Sequence, residues 1–143
     1  MKEIFISNSP LQTEKIAEDL VKNFSGGETV AFTGNLGYGK TCFVRGMAKG
    51  LGFNGDVTSP TFAIINEYVG GRLPLYHFDM YRVTSWVDLY STGFFEYQEQ
   101  GGVTAVEWSE NIAAAIPENA IYVNIEQIGE TSRKITIESS DSV

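Results

Sequence analysis

The sequence lacks most features of a secreted or membrane-bound chain. Cys42 is the only cysteine among 143 residues, so no disulfide can form within the chain. No run of 18 apolar residues occurs, and the opening residues MKEIFISNSP have no signal-like apolar core. We therefore expect a soluble, cytoplasmic protein that makes no contact with a membrane.

Basic residues are also scarce. The chain has 10 lysines and arginines against 18 aspartates and glutamates, and its formal net charge is -8. A surface that grips a nucleic-acid backbone by itself needs clustered positive charge. We therefore expect any nucleic acid to be reached through a partner. The length and a hydrophobic fraction of 43% predict one domain over residues 1–143, with the last few residues disordered.

Apolar spacing in the first half of the chain predicts strand, helix, strand, loop and helix. A short strand, IFI, precedes Ser9 and Pro10, which are typical of a helix N-cap and a first helical residue. The run ETVAF, residues 28–32, predicts a buried strand. Helical spacing resumes at Phe43 and ends at Gly52.

The second half is richer in strands. Five further strands are predicted, at residues 61–69, 73–81, 103–108, 120–128 and 133–139. Short glycine-containing links join the first two and the last two, which indicates antiparallel hairpins. A serine N-cap at Ser109 predicts a short helix that Pro117 ends. These elements predict an α/β fold whose mixed sheet adds antiparallel hairpins to parallel core strands.

One segment carries a specific chemical signal. Residues 34–41, GNLGYGKT, match G-x-x-x-x-G-K-[ST] at every fixed position. At ordinary residue usage this pattern arises by chance in about 1% of chains of this length. It also lies between a predicted buried strand and a predicted helix, as a phosphate-binding loop requires. The sequence therefore predicts a P-loop NTPase-like three-layer fold.

The chemistry of such a loop assigns roles to its residues. Its glycines let backbone N–H groups point into one concavity at the positive end of the following helix. Lys40 is expected to reach the β- and γ-phosphates, and Thr41 to offer its hydroxyl to Mg²⁺. Cys42 is expected to pack inward as a small apolar residue. The predicted nucleotide-binding segment comprises Asn35, Leu36, Gly37, Tyr38, Gly39, Lys40, Thr41 and Cys42.

A magnesium–nucleotide site also needs carboxylates at the ends of neighbouring strands. Asp79 ends the apolar run LYHF and Glu107 ends VTAV, so both are predicted to act at the site. Their spacing does not decide which one holds the metal and which orients water. His77, the only histidine, is predicted to share a face with Asp79 and to be structural rather than catalytic.

Other nucleotide-binding classes share the loop. A small-molecule or nucleoside kinase usually needs an arginine-bearing lid, and the sequence has no arginine-rich lid segment. A GTPase is disfavoured because no N-K-x-D sequence, which would read guanine, occurs in the chain. A nucleotide sensor that does not hydrolyse stays open as an alternative. Turnover of bound ATP would separate it from an ATPase.

In order and spacing, the motifs resemble one family, TsaE (also called YjeE), the ATPase component of the bacterial threonylcarbamoyladenosine tRNA-modification machinery. The similarity spans nearly the whole chain. Besides the loop, it rests on Phe43-Val44-Arg45-Gly46, Thr58-Ser59-Pro60-Thr61-Phe62, His77-Phe78-Asp79-Met80-Tyr81-Arg82 and Glu107-Trp108. Tyr38 and Cys42 depart from the family pattern, in which a small residue and a second hydroxyl residue are usual.

The resemblance implies a protein that binds and hydrolyses ATP with Mg²⁺. Hydrolysis would support a two-protein complex, of the TsaD and TsaB type, that transfers a threonylcarbamoyl group to an adenosine beside the tRNA anticodon. The tRNA would be held mainly by those partners.

The resemblance also implies roles for individual residues. Lys40 and Thr41 would contact phosphate and magnesium and Glu107 would be the metal carboxylate, while Asp79 would orient the attacking water. Trp108 would have a functional role. A switch-like segment would comprise Ser59, Pro60 and Thr61.

Overall fold

A computed structural model describes residues 1–33, 39–57 and 65–139. Within these residues seven strands form one sheet, in the order β1-β7-β6-β2-β5-β4-β3. The elements in chain order are β1 (Lys2–Ser7), α1 (Pro10–Val21), β2 (Thr29–Thr33), α2 (Lys40–Gly50), β3 (Ile65–Tyr68), β4 (Leu75–Asp79), α3 (Trp86–Ser91), α4 (Phe94–Gln98), β5 (Val103–Glu107), a 3₁₀ helix (Ser109–Ala115), β6 (Ile121–Gln127) and β7 (Arg133–Ser139).

The sheet is mixed, as the sequence predicts. Its centre is parallel, because β2 pairs in parallel with β5 and β6, and β4 with β5. The additions are antiparallel: β3 pairs with β4, β7 with β6, and β1 with β7. The β3–β4 and β6–β7 hairpins are thereby confirmed, although residues 61–64 of the first predicted strand lie outside the described residues. No helix in the described parts of the chain has the length and hydrophobicity needed to cross a bilayer.

Helices α1 and α2 cover one face of the sheet. Ser9 begins α1 as predicted, since its side chain accepts a hydrogen bond from the Gln12 backbone N–H and Pro10 follows it. The two helices lie close together because Gly46 has no side chain; a Cβ there would overlap the Glu14 carbonyl oxygen. Both helices pack against apolar side chains of the central strands. This packing buries the face of the sheet that lies beneath the start of α2.

The other face is covered by short helices that the sequence analysis did not predict. Both α3 and α4 pack against β4 and β5, and the rings of Phe78 and Phe94 meet edge to face with centroids 5.4 Å apart. Ser85 caps α3 by accepting from the Asp88 backbone N–H at 3.1 Å. Helices of six and five residues contain too few turns to produce a periodic apolar pattern.

The predicted cap of the next helix is wrong. The segment after β5 is a 3₁₀ helix, and Trp108, with φ 58°, stands at its N-cap position rather than Ser109. The Ser109 hydroxyl instead donates to the carbonyl oxygen of Phe32 at the end of β2, at 2.9 Å. A long-range hydrogen bond therefore outcompetes the local cap, and it ties the end of β5 to the end of β2.

Candidate nucleotide site

The first turn of α2 lies beside the end of β2. Gly39 stands at the N-cap with φ 78°, in the left-handed region that glycine adopts readily, and its carbonyl accepts from Phe43 N–H at 2.8 Å. The first turn carries no acidic residue. The positive end of the helix dipole therefore favours an anion beside Gly39, Lys40 and Thr41.

A packed aromatic pair fixes this turn on the sheet. The Phe43 side chain is fully buried and meets the ring of Phe32 edge to face, with centroids 5.6 Å apart. Burying a side chain of this size contributes about 2–3 kcal/mol. The start of α2 is thus held over the end of β2 by its core contacts. The predicted loop residues Asn35, Leu36, Gly37 and Tyr38 lie outside the described residues, as do Ser59, Pro60 and Thr61.

Lys40 is buried to an extent that is unusual for lysine. Its relative exposure is 2%, and its ammonium nitrogen lies 5.8 Å from the centre of the Trp108 ring. Lysine is rarely this buried unless its charge has partners. A cation over an aromatic face is favourable by about 0.5–2 kcal/mol. The aromatic ring and the ammonium group of the predicted phosphate-binding residue thus belong to the same site.

The two predicted carboxylates lie side by side. Asp79 and Glu107 are register partners at the carboxyl ends of the adjacent parallel strands β4 and β5. Leu75 and Ala105 on these strands belong to the core beneath α1 and α2, so alternation puts both acids on that face. Since β5 also neighbours β2, three strand ends meet at the start of α2. This is the edge at which ligands bind in open α/β sheets.

Glu107 is held by a histidine. The Nε2 atom of His77 lies 2.6 Å from Oε2 of Glu107, and the histidine side chain is fully buried. The Glu107 side chain retains 11% of its exposure. The structure thus shows what His77 contacts: its ring packs on the same face as both acids and contacts one of them, Glu107.

Asp79 is oriented by its own chain. Its Oδ1 atom accepts a hydrogen bond from the Tyr81 backbone N–H at 2.9 Å, and the side chain is half-buried. This turn fixes the carboxylate at the mouth of the site. The Tyr81 ring in turn packs on Trp108, with centroids 4.9 Å apart.

Trp108 holds an unusual backbone conformation. Among the described residues it is the only one other than glycine with a positive φ, 58°. For a bulky side chain this conformation costs about 1–2 kcal/mol. Two hydrogen bonds hold the chain that follows Trp108: Ser109 donates to the Phe32 carbonyl, and the Asn111 side chain donates to the Met80 carbonyl at 2.9 Å. In this conformation the indole lies beside the Lys40 ammonium.

The oxygen donors at this edge fit a magnesium ion. Glu107 offers a carboxylate and Thr41 a hydroxyl, which are the hard ligands that Mg²⁺ prefers. The described residues contain no group of three or more histidine, cysteine, aspartate or glutamate side chains able to hold a metal. One carboxylate and one hydroxyl suit an ion that completes its shell with phosphate oxygens and water.

A cavity of about 260 Å³ adjoins the start of α2. It is lined by the N-terminus of α1 with Ser9 and Thr13, by Gly39 and Cys42, and by Thr131 and Arg133 at the β6–β7 hairpin. Contacts between elements distant in sequence form this cavity.

The prediction that Cys42 packs inward is wrong, and the structure gives Arg45 an acidic neighbour. Cys42 is only half-buried and borders the cavity rather than packing inward, and the Arg45 Nη1 atom lies 3.7 Å from its sulfur. From its residue type alone, Arg45 could either compensate phosphate charge or pair with an acid. In the structure Arg45 lies 3.8 Å from the Glu14 carboxylate on α1.

Similarity to known proteins extends over most of the chain. The family model described as threonylcarbamoyl adenosine biosynthesis protein TsaE matches residues 7–135. The tRNA threonylcarbamoyladenosine biosynthesis protein TsaE of Treponema pallidum is 36% identical over 132 residues, which cover 92% of this chain and 97% of that relative. Its counterpart in Bacillus subtilis is 39% identical over 128 residues, covering 90% and 80%.

A solved structure supports the same relationship. The crystal structure of Bacillus subtilis YdiB superposes with a TM-score of 0.78 at 34% identity, and the alignment covers 97% of this chain and 86% of that one. The family match includes the start of α2 and the ends of β2, β4 and β5, where the candidate site lies. The chain therefore belongs to the TsaE family.

Proposed function

We propose that this protein binds ATP with Mg²⁺ and hydrolyses it in support of threonylcarbamoyladenosine formation in tRNA. The observation that carries the proposal is that the Lys40 ammonium, at the start of α2, lies 5.8 Å from the ring centre of Trp108. Trp108 directly follows Glu107, whose register partner on the neighbouring strand is Asp79. The matched relatives are named for this tRNA modification.

In the proposed site, the first turn of α2 binds the phosphates. Its N–H groups and the Lys40 ammonium neutralise the β- and γ-phosphates, with the preceding loop residues 35–38 completing the cradle. Thr41 and Glu107 would hold the magnesium ion, which would supply positive charge against the negative charge on the phosphates. The cavity between α1, α2 and the β6–β7 hairpin has a position suited to the base and ribose.

Asp79 is proposed to orient the attacking water. The Tyr81 N–H occupies its Oδ1, so Oδ2 is the oxygen that we assign to the water proton. Trp108 borders the same volume and packs on Lys40, so it shields the ammonium from bulk water and strengthens its interaction with phosphate. Glu107 is assigned to the metal because the resemblance to the family implies that role, and the His77 contact at Oε2 leaves its Oε1 for the ion.

The partner complex is proposed to perform the transfer itself. With a net charge of -8, this chain is poorly suited to hold tRNA, so a TsaD and TsaB type pair would bind it. Ser59, Pro60 and Thr61 are proposed to respond to the γ-phosphate as a switch, by which hydrolysis resets the complex. This role would be carried out in the cytoplasm.

The test is phosphate release from ATP and GTP, by the chain alone and with both partners. Lys40→Ala should weaken triphosphate binding by about 10- to 100-fold, the effect of one charge-assisted contact. Lys49→Ala is the matched control, because Lys49 lies exposed in the last turn of the same helix. ATP-selective release that rises with the partners supports the proposal. ATP binding without turnover in either setting would make the protein a nucleotide sensor.

A further inference from the structure

We propose that His77 is a positioning residue for Glu107: it binds one carboxylate oxygen so that the other faces the metal that accompanies ATP. This inference rests on the proposed ATPase function. It gives a role to a buried polar side chain that the phosphate-binding motif does not include. The nearest alternative is that His77 only fills space in the core.

The contact is short and shielded from water. His77 Nε2 lies 2.6 Å from Glu107 Oε2, the histidine side chain has no exposure, and 11% of the glutamate side chain remains exposed. A carboxylate that is this buried is costly unless a hydrogen bond compensates it. The histidine therefore stabilises Glu107 at the edge of solvent, with one oxygen directed inward and one available at the site.

The strand register explains how the ring reaches the carboxylate. His77 is the register partner of Ala105, and Glu107 lies two residues further along β5 on the same face. The Ala105 side chain is a single methyl group, which leaves room for the imidazole to extend along the sheet. A larger residue opposite His77 would occupy that space.

The hydrogen-bond inventory assigns the proton in this contact. A carboxylate that ligates a metal is ionised, so it is the imidazole Nε2–H that donates. The Nδ1 atom has no partner among the described residues. The contact thus keeps Oε2 occupied and leaves Oε1 as the oxygen that would face the metal.

Three substitutions separate positioning from packing. In His77→Gln the amide nitrogen stands near the position of Nε2 and can still donate to Glu107. In His77→Asn it stands near the position of Nδ1 and falls short. His77→Leu keeps a similar volume but has no donor. A positioning role therefore predicts that Gln retains the function and that Asn and Leu both lose it.

The readout is the Mg²⁺ concentration that gives half-maximal strengthening of ATP binding, measured by titration calorimetry without turnover. We expect it to rise about 10- to 100-fold in His77→Leu and His77→Asn, as when an outer-shell partner of a metal ligand is lost. In His77→Gln it should stay within about threefold of the unsubstituted protein. ATP affinity in EDTA should be unchanged in all three, because the Lys40 contacts are intact.

The outcomes distinguish this inference from the proposed function. If Asn and Gln shift the Mg²⁺ requirement equally, or if Leu leaves it unchanged, His77 is a packing residue and the inference is wrong. Because Gln and Asn share chemistry, their comparison decides the matter even if His77→Leu does not fold. Absence of Mg²⁺-dependent ATP binding in the unsubstituted protein would instead overturn the proposed function, and this inference with it.

Discussion

Two substitutions, Trp108→Ala and Trp108→Gly, distinguish the contribution of this residue to protein stability from its role at the site. Both substitutions remove the indole, which packs on Tyr81 and lies 5.8 Å from the Lys40 ammonium. They differ only in the backbone, where the φ of 58° is strained for alanine and relaxed for glycine. At positions with a negative φ, a glycine variant is usually less stable than the alanine variant. At this position we expect the order to reverse.

The magnitudes follow from the burial and the backbone angle. A half-buried indole loses roughly 100 Å² of buried surface on truncation, which at about 25 cal/mol per Å² costs ~2.5 kcal/mol. Glycine recovers about 1–2 kcal/mol of left-handed strain and loses about 0.5–1 kcal/mol to its greater freedom in the unfolded chain. Trp108→Gly should therefore be more stable than Trp108→Ala by about 1 kcal/mol. In a domain of this size that is about 3–4 °C in Tm.

The assay combines thermal unfolding with phosphate release at a temperature where both variants are folded. If the indole acts directly at the site, both variants lose activity to the same extent even though their stabilities differ. Activity that follows Tm between the two would reduce Trp108 to a packing residue. An alanine variant that melts above the glycine variant would refute the strained conformation itself.

The remaining predictions concern the two acids and one structural arginine. Glu107→Gln should abolish the strengthening of ATP binding by Mg²⁺ and leave affinity in EDTA unchanged, as titration calorimetry would measure. Asp79→Asn should lower kcat by about 100-fold, because the amide cannot take a proton from the attacking water. KM should change little, because the asparagine oxygen can still accept from the Tyr81 N–H. If this variant instead lost its Mg²⁺ dependence, Asp79 would be the metal carboxylate and Glu107 the acid that orients water. Arg72 donates to the carbonyls of Val21 and Phe24 at 2.7 and 2.6 Å, at the end of α1. Arg72→Ala should therefore lower the free energy of unfolding by about 2 kcal/mol. This is less than the loss of two buried charge-assisted hydrogen bonds would cost, because the Arg72 side chain is exposed. Denaturant unfolding would measure that cost, Arg72→Lys should restore part of it, and a loss of ATP affinity in folded Arg72→Ala would contradict a purely structural role.

Sequence-based prediction succeeded where the signal is local. Ser9 and Pro10 specify the start of α1 through a side-chain cap and a preset φ, and both act within one turn. The β3–β4 and β6–β7 hairpins follow from short glycine-containing links between strands. Prediction failed at Ser109, because its hydroxyl donates to the carbonyl of Phe32 in β2, 77 residues away, instead of capping the local helix. It also missed α3 and α4, which form because Leu89 and Phe94 fill a core that other strands create.

The candidate site divides in the same way. The roles of Lys40 and Thr41 can be predicted because eight consecutive residues carry the whole loop pattern, and Asp79 and Glu107 were found because each ends an apolar run. The contact between His77 and Glu107 could not be predicted, since it depends on the pairing of β4 with β5 and on the exact register of the two strands. The cavity beside Cys42 depends on three elements that are distant in sequence.

The sequence by itself determined the class of this protein, an α/β fold with two carboxylates at strand ends, and it predicts a phosphate-binding loop and a reliance on partners to hold tRNA. These properties reside in residue types and short spacings, which local chemistry interprets. Only the tertiary structure decided that Asp79 and Glu107 share a face, that His77 occupies one oxygen of Glu107, and that Trp108 turns its ring to Lys40. Those relations arise from strand order, register and a strained φ, which form only when the whole sheet assembles and core packing outweighs local preference.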